Sequence, residues 1–307
     1  MTTALFSHTA CLGHDPGPQH PESPARLRAI LRALDAPQFA ALDRRDAPRA
    51  TEEQLARVHP PELVRALLAA VPQAGQAMID GDTILSSGSG EAALRAAGAV
   101  CAAVDAVMRG EIRNAFCAVR PPGHHAEPEQ PMGFCLFNNV AVGALHARAV
   151  HGLARIAVVD FDVHHGNGTQ AAFEADADLF FASSHQLPLY PGTGSVVERG
   201  VGNIFNAPLP PGSGGVEFRA AWAERLLPAL REFKPQFVLI SAGFDAHEDD
   251  PLANLNLTDA DYAWITREIL AVAEECCEGR VVSTLEGGYD LDALARSVSA
   301  HVGKMFN

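Results

Sequence analysis

The chain has 307 residues, of which 48% are hydrophobic and 20% charged, the balance of a soluble globular protein with enough apolar side chains to bury a large core. Its formal net charge of −14 excludes the basic footprint that direct binding to duplex DNA requires, and no apolar run approaches the roughly 20 residues that span a bilayer. The acid excess suits cationic partners, a lysine-rich peptide or a polyamine, although solubility alone accounts for it.

In chain order, the opening MTTALFSHTACLGHD lacks the basic start and long apolar stretch of a secretory leader, so the expected compartment is the cytoplasm. The cysteines fit that expectation: none forms a C-x-x-C pair, Cys276 and Cys277 are adjacent, and Cys11, Cys101, Cys117 and Cys135 read as reduced thiols. Residues 4–7 predict a short strand, followed by a breaker-rich loop. Ser23 and Pro24 then open a helix to residue 34, Thr51 caps a second, and 61–70 predicts a third. A small-residue loop, 81–90, leads into an Ala-rich helix over 91–109. A strand over 115–120 stops at Pro121-Pro122, and 137–150 is helical. Further strands are predicted from residue 156, at 178–184, at 203–209 (an edge), at 237–242 and at 281–285. Helices are predicted near 169–174 and at 216–233, from Thr258 to about 277, and at 292–305. This alternation implies one α/β domain, 1–307, built on a parallel sheet covered on both faces. The unusual polar clusters all follow strands, where open α/β sheets build their sites.

The central cluster is IAVVDFDVHHGNGTQ, from Ile156 to Gln170. If the extended geometry continues, Asp160, Asp162 and His164 share one face. Asp162 and His164 offer an oxygen and a nitrogen ligand, and Asp245, after another apolar strand, offers a third. Three protein ligands leave an open position, as in a catalytic zinc site; the donor set also suits iron(II), cobalt(II) or manganese(II). A D-x-H pair by itself is more often a surface pair. His124-His125 supplies candidate acid–base imidazoles, and Tyr289, after Gly287-Gly288, a candidate oxyanion donor. Each is weak alone; together they imply metal-assisted amide hydrolysis.

The blocks RPPGHHAEPEQPMGFCLFNNVAV, VVDFDVHHGNGTQAAF, SAGFDAHEDDPLANLNLT and LEGGYDLDALA resemble, in order, the signatures of the zinc-dependent histone deacetylase family. The Gly-Asn-Gly and RPPGHHAEP features resemble its class II branch and bacterial relatives. The resemblance implies a three-layer arginase–deacetylase fold with an eight-stranded parallel sheet. It implies zinc on Asp162, His164 and Asp245, with His125 as the base. His124 is then the second imidazole, oriented by Asp160. Asn167 stands behind the base where class I has Asp, raising its basicity less than a carboxylate would. Tyr289 matches the catalytic tyrosine. Potassium is implied at Asp160, Asp162, His164, Ser183 and Ser184, and a second potassium near Phe173. Arg26 matches an arginine lining an internal channel, against the plainer reading of a helix-surface Arg.

For the substrate tunnel the resemblance gives Gly133-Phe134 as one wall and Tyr190, in place of the usual Phe, as the other. Asp82 corresponds to a rim Asp that holds substrate backbone. Leu252 stands where polyamine deacetylases carry Glu, which favours an acyl-lysine substrate, while Glu127, Glu129, Glu248, Asp249 and Asp250 could supply rim charge. The expected activity is therefore deacylation of acylated lysine in peptide or protein. The alternatives are deacetylation of small amines such as acetylpolyamines and a catalytically silent acyl-lysine binding module. An arginase-like dimanganese site would need a second ligand set, and the sequence offers none.

Overall fold

Runs of β-branched and apolar residues form the middle of one large sheet. The structure, a computed structural model, describes residues 2–306. Its strands are β1 (Thr3–Ser7), β2 (Asp43–Asp46), β3 (Gln76–Met78), β4 (Ile84–Ser86), β5 (Asn114–Cys117), β6 (Ile156–Asp160), β7 (Leu179–Gln186), β8 (Ile204–Leu209), β9 (Phe237–Ala242) and β10 (Val281–Leu285). Eight of them form a sheet in the order β2-β1-β5-β10-β9-β6-β7-β8, parallel throughout. The four central strands β5, β10, β9 and β6 are buried at every position, as expected where helices cover both faces.

The helices are α1 (Pro24–Leu34), α2 (Glu52–Leu55), α3 (Pro61–Ala69), α4 (Ser89–Met108), α5 (Asn139–His151), α6 (Asn167–Phe173), α7 (Gly215–Ala221), α8 (Leu227–Phe233), α9 (Asp259–Cys277) and α10 (Leu291–Phe306). On one face α4 and α5 pack together against β1, β5, β6, β9 and β10; on the other, α10 packs between α1 and α9, and α8 joins α9 over β7 and β9. This three-layer arrangement is the arginase–deacetylase fold.

Several boundaries differ from the sequence expectation for physical reasons. The eighth strand, β2, reads Asp-Arg-Arg-Asp with alternating half-buried and exposed positions. It has no apolar signal because it is an edge, where charge discourages further pairing. The loop over 81–90 contains β4, which pairs antiparallel with β3. The helix over 216–233 is interrupted by a π-turn at Trp222–Leu226, just before Pro228, which lacks the N–H to continue the ladder. β6 ends at Asp160, so Asp162 and His164 sit on the loop beyond it rather than in line on one strand face. Because β5, β10, β9 and β6 are neighbours, the loops at their carboxyl ends converge, bringing His124, Tyr289, Asp245 and Asp162 together.

Candidate active site

Asp162, His164 and Asp245 present ligand atoms within 4.8 Å of one another. His164 Nδ1 lies 3.1 Å from Asp162 Oδ1 and 3.3 Å from Asp245 Oδ2. The remaining carboxylate oxygens are taken: Asp162 Oδ2 accepts from the Gly287 N–H at 2.8 Å and Asp245 Oδ1 from the Val163 N–H at 2.9 Å. Asp245 Oδ2 is buried and accepts no hydrogen bond. Two buried carboxylates facing one imidazole, with one oxygen orphaned, are costly unless a cation completes the group. The electrostatics express that demand. Burial opposes charge on His164, yet Asp162 and Asp245 push its pKa up to about 10, so a proton is drawn in where a metal would sit. One nitrogen and two oxygens suit a divalent zinc-like ion. Gly287 makes room: a Cβ there would fall 1.9 Å from Asp245 Oδ2.

The histidine tandem lies beside this group, with the His124 and His125 rings 4.1 Å apart. His124 Nδ1 and Asp160 Oδ2 are 2.8 Å apart. Burial opposes protonation of His124, but Asp160 and Asp162 hold its pKa well above the usual imidazole range. His125 moves the other way, lowered by burial and then by the neighbouring His124 and His164. Its Nδ1 lies 2.8 Å from Asn167 Oδ1. An amide oxygen only accepts, so Nδ1 carries the proton and Nε2 keeps a lone pair.

Tyr289 is held from two sides. Arg26, at the buried end of α1, donates from Nε to the Gly288 carbonyl and from Nη2 to the Glu286 carbonyl, both at 2.5 Å. Its guanidinium lies 4.8 Å from the Tyr289 ring centroid. Arg26 is fully buried, which sets aside the plainer helix-surface alternative; Glu22, shared with Arg120 and His14, offsets its charge. From the other side Asp250 accepts the Tyr289 N–H at 2.7 Å and the Leu252 N–H at 3.0 Å. Asp250 is buried and ties two loops together; it is no rim charge. Burial first, then Arg26 and the nearby carboxylates, act on the Tyr289 phenol, with a net rise well above its usual pKa, so it stays a donor.

Glu286, to which the sequence assigned no role, is also placed at this centre. Its carboxylate accepts the Gly123 and His124 N–H groups, at 2.6 and 3.1 Å, and the Ser241 hydroxyl at 3.2 Å. A carboxylate at the end of an apolar strand was the available signal, because burial forces it to find donors. His165 bonds Thr193 and Gln170 and takes no part in the pocket lining.

A cavity of about 210 Å³ reaches this centre, lined by all five expected tunnel residues, Asp82, Gly133, Phe134, Tyr190 and Leu252, together with Leu189, His125, His164 and Tyr289. Tyr190 stands edge-on to His125 at 5.1 Å, and Phe134 edge-on to Tyr289 at 6.0 Å. Phe134 has φ +68°, a left-handed conformation costing on the order of 1 kcal/mol, which aims its ring into the cavity. Gly133 beside it cannot be replaced without collision, since a Cβ would lie 2.6 Å from His125.

The residues matched to potassium fit unevenly. Ser183 and Ser184 are buried on β7 beside Asp160. His185 Nε2 is 2.9 Å from the Gly194 carbonyl and its Nδ1 2.9 Å from Ser183 Oγ. The serine is therefore the donor to His185, and its oxygen keeps lone pairs for a cation. At the second position the Phe173 carbonyl already accepts from Asn203 Nδ2 and the Asp176 N–H, which fills its two lone pairs. Asp105, His146 and His151 form another His/Asp group, at the opposite end of the sheet, where α5 runs into β6. There Arg57 donates to His146 Nδ1 at 3.0 Å, and His146 Nε2 and His151 Nε2 each lie 2.7 Å from Asp105 Oδ1. The proton on His146 Nε2 leaves no lone pair for a metal, so this is a closed hydrogen-bonded cluster and no second half of a binuclear centre.

Comparison with known proteins agrees with this architecture. Residues 20–305 match the histone deacetylase domain. Histone deacetylase 14, chloroplastic, of Arabidopsis thaliana is 44% identical over 96% of this chain and 74% of its own length. The histone deacetylase-like amidohydrolase of Pseudomonas aeruginosa is 40% identical over 94% of this chain and 81% of its own. The crystal structure of the HDA15 HD domain superposes with a TM-score of 0.94 at 36% identity, covering 99% of this chain and 88% of that one. With the family match running from before α1 almost to the end of α10, and one fold shared throughout, the chain belongs to the histone deacetylase family.

Proposed function

We propose that the protein is a zinc-dependent deacylase that hydrolyses the amide of an acylated lysine side chain in a peptide or protein. The observation that carries the reading is the narrow cavity, walled by Phe134 and Tyr190, that ends on the Asp162–His164–Asp245 group beside His125 and Tyr289. An acyl-lysine stem suits such an aromatic slot. Zinc held by the three ligands supplies Lewis-acid polarisation and acidifies water. His125, neutral and with Nε2 free, takes the proton of the attacking water and returns it to the departing amine. His124, its Nδ1 2.8 Å from Asp160 Oδ2 and its ring 4.1 Å from that of His125, is the second imidazole of the tandem, oriented by Asp160. The Tyr289 phenol donates to the same oxygen, an interaction that strengthens as charge builds. The Asp160–Ser184 region would hold a potassium ion and steady the carboxylates.

For substrate class, Leu252 presents an apolar rim where recognition of a distal ammonium would need a carboxylate, and Asp82 at the mouth can accept a substrate backbone N–H. Side-by-side turnover of an acetyl-lysine peptide and acetylputrescine tests this. The peptide is expected to be the faster substrate. Faster acetylputrescine turnover would reassign the protein to small amines, and failure on every acyl peptide at full zinc occupancy would leave a binding module.

A further inference from the structure

The lone pair on His125 Nε2 depends on which way round the Asn167 side chain sits. Reversed, the amide would turn its NH₂ towards His125 Nδ1, moving the ring proton to Nε2 and abolishing the base. Asn167 is buried, and two neighbours decide its orientation. Its Nδ2 lies 2.7 Å from Glu127 Oε1 and 3.3 Å from Met132 Sδ. An ionised carboxylate can only accept, and a thioether is a weak acceptor, so both require NH₂ on that side and oxygen on the side of His125. The carboxylate bond is charge-assisted and the stronger.

We propose that Glu127 is the positioning residue of the base, fixing the Asn167 amide and through it the tautomer of His125. The inference rests on His125 being the base. Glu127 itself is held independently of substrate. Its N–H donates to the Gln130 carbonyl at 2.9 Å, its carbonyl accepts the Gln130 N–H at 3.3 Å, and the following Pro128 carbonyl lies 3.0 Å from His59 Nδ1. Glu127 is half-buried, and its Oε1 is directed to Asn167. The arrangement is a His–amide–carboxylate chain, in which the acidic group stands one residue further from the imidazole than in a direct His–Asp pair.

The test uses the zinc-loaded full chain with Glu127→Ala and Glu127→Gln. Glu127→Ala is expected to lower kcat on an acyl-lysine peptide by about 10- to 100-fold, the usual effect of removing a group behind an active-site ligand. KM, zinc content and Tm should stay close to wild type. Glu127→Gln keeps an acceptor oxygen and should restore most of the lost kcat. Independently of turnover, ¹⁵N NMR of the histidine rings, with His125→Ala used for assignment, should report an Nδ1–H tautomer at position 125 in the wild type and in Glu127→Gln. In Glu127→Ala a substantial Nε2–H population is expected. An unchanged tautomer in Glu127→Ala overturns the proposal, as does equal impairment of both variants. If the wild type hydrolyses no acyl substrate while the tautomer still shifts in Glu127→Ala, the proposed function fails and the positioning role stands.

Discussion

Two side chains at the centre make separable contributions, and each separation can be measured. The Tyr289 phenol touches none of the candidate metal ligands by hydrogen bond, whereas Asp245 contributes a buried carboxylate oxygen, Oδ2, that accepts no hydrogen bond. Tyr289→Phe is therefore expected to keep its metal and lose about 10²- to 10³-fold in kcat, the range for removing one oxyanion donor. Asp245→Ala is expected to lose the metal and the activity together. Metal analysis of both variants beside one activity assay decides; wild-type turnover in Tyr289→Phe would remove the oxyanion role. At this scale the sequence was legible where chemistry is concentrated in short runs, as in Asp160 to His164 and His124-His125. It was illegible where a role depends on a partner far along the chain. Arg26 looks like any helix arginine until the Gly288 carbonyl, 262 positions away, reaches it. Asp250 looks like one of several loop acids until it is found under the Tyr289 N–H. Local pattern carries no information on such pairings.

Elements raise the same issue through packing. The central strands and long helices follow from apolar periodicity, because burial acts on every residue in them; β2 and the π-turn escape it, being set by sheet position and by a single proline. Helix α10 shows how a buried polar group joins elements. His301, fully buried, lies 2.6 Å from Thr266 Oγ1 on α9 and 2.9 Å from Ser283 Oγ on β10. Burial lowers its pKa to about 3, so the ring is neutral in the folded state, while unfolded histidine titrates near 6.5. The sign follows: below pH about 6.5 the unfolded chain takes up a proton that the folded one refuses, so this contribution to stability is intact above that pH and declines as pH falls towards 3, by up to about 1.4 kcal/mol per unit. His301→Gln should be less stable than wild type at pH 7.5, and the gap should narrow by about 3 kcal/mol by pH 4.5. Denaturant unfolding at both pH values measures it, and a constant gap would mean that His301 does not stay neutral.

The charge of the whole molecule acts before any contact forms. With a formal net charge of −14, the protein surrounds itself with a negative potential that attracts cationic substrates over a distance set by the Debye length, about 10 Å at 0.1 M salt. Asp82 at the cavity mouth and the exposed Glu129 and Glu248 lie on loops of the active-site end, so the field is not confined to remote faces. Ion pairing offsets part of it, as where Arg296 meets Asp249 at 2.9 Å. Steering of this kind changes encounter rather than chemistry. An acetyl-lysine peptide flanked by lysine and arginine should lose about fivefold in kcat/KM between roughly 20 mM and roughly 300 mM salt, with kcat steady. A matched peptide with neutral flanks should vary by less than about twofold. Parallel salt profiles for the two peptides would show that the acid excess serves solubility alone, and a fall in kcat for both would point to loss of a bound ion instead of weakened attraction.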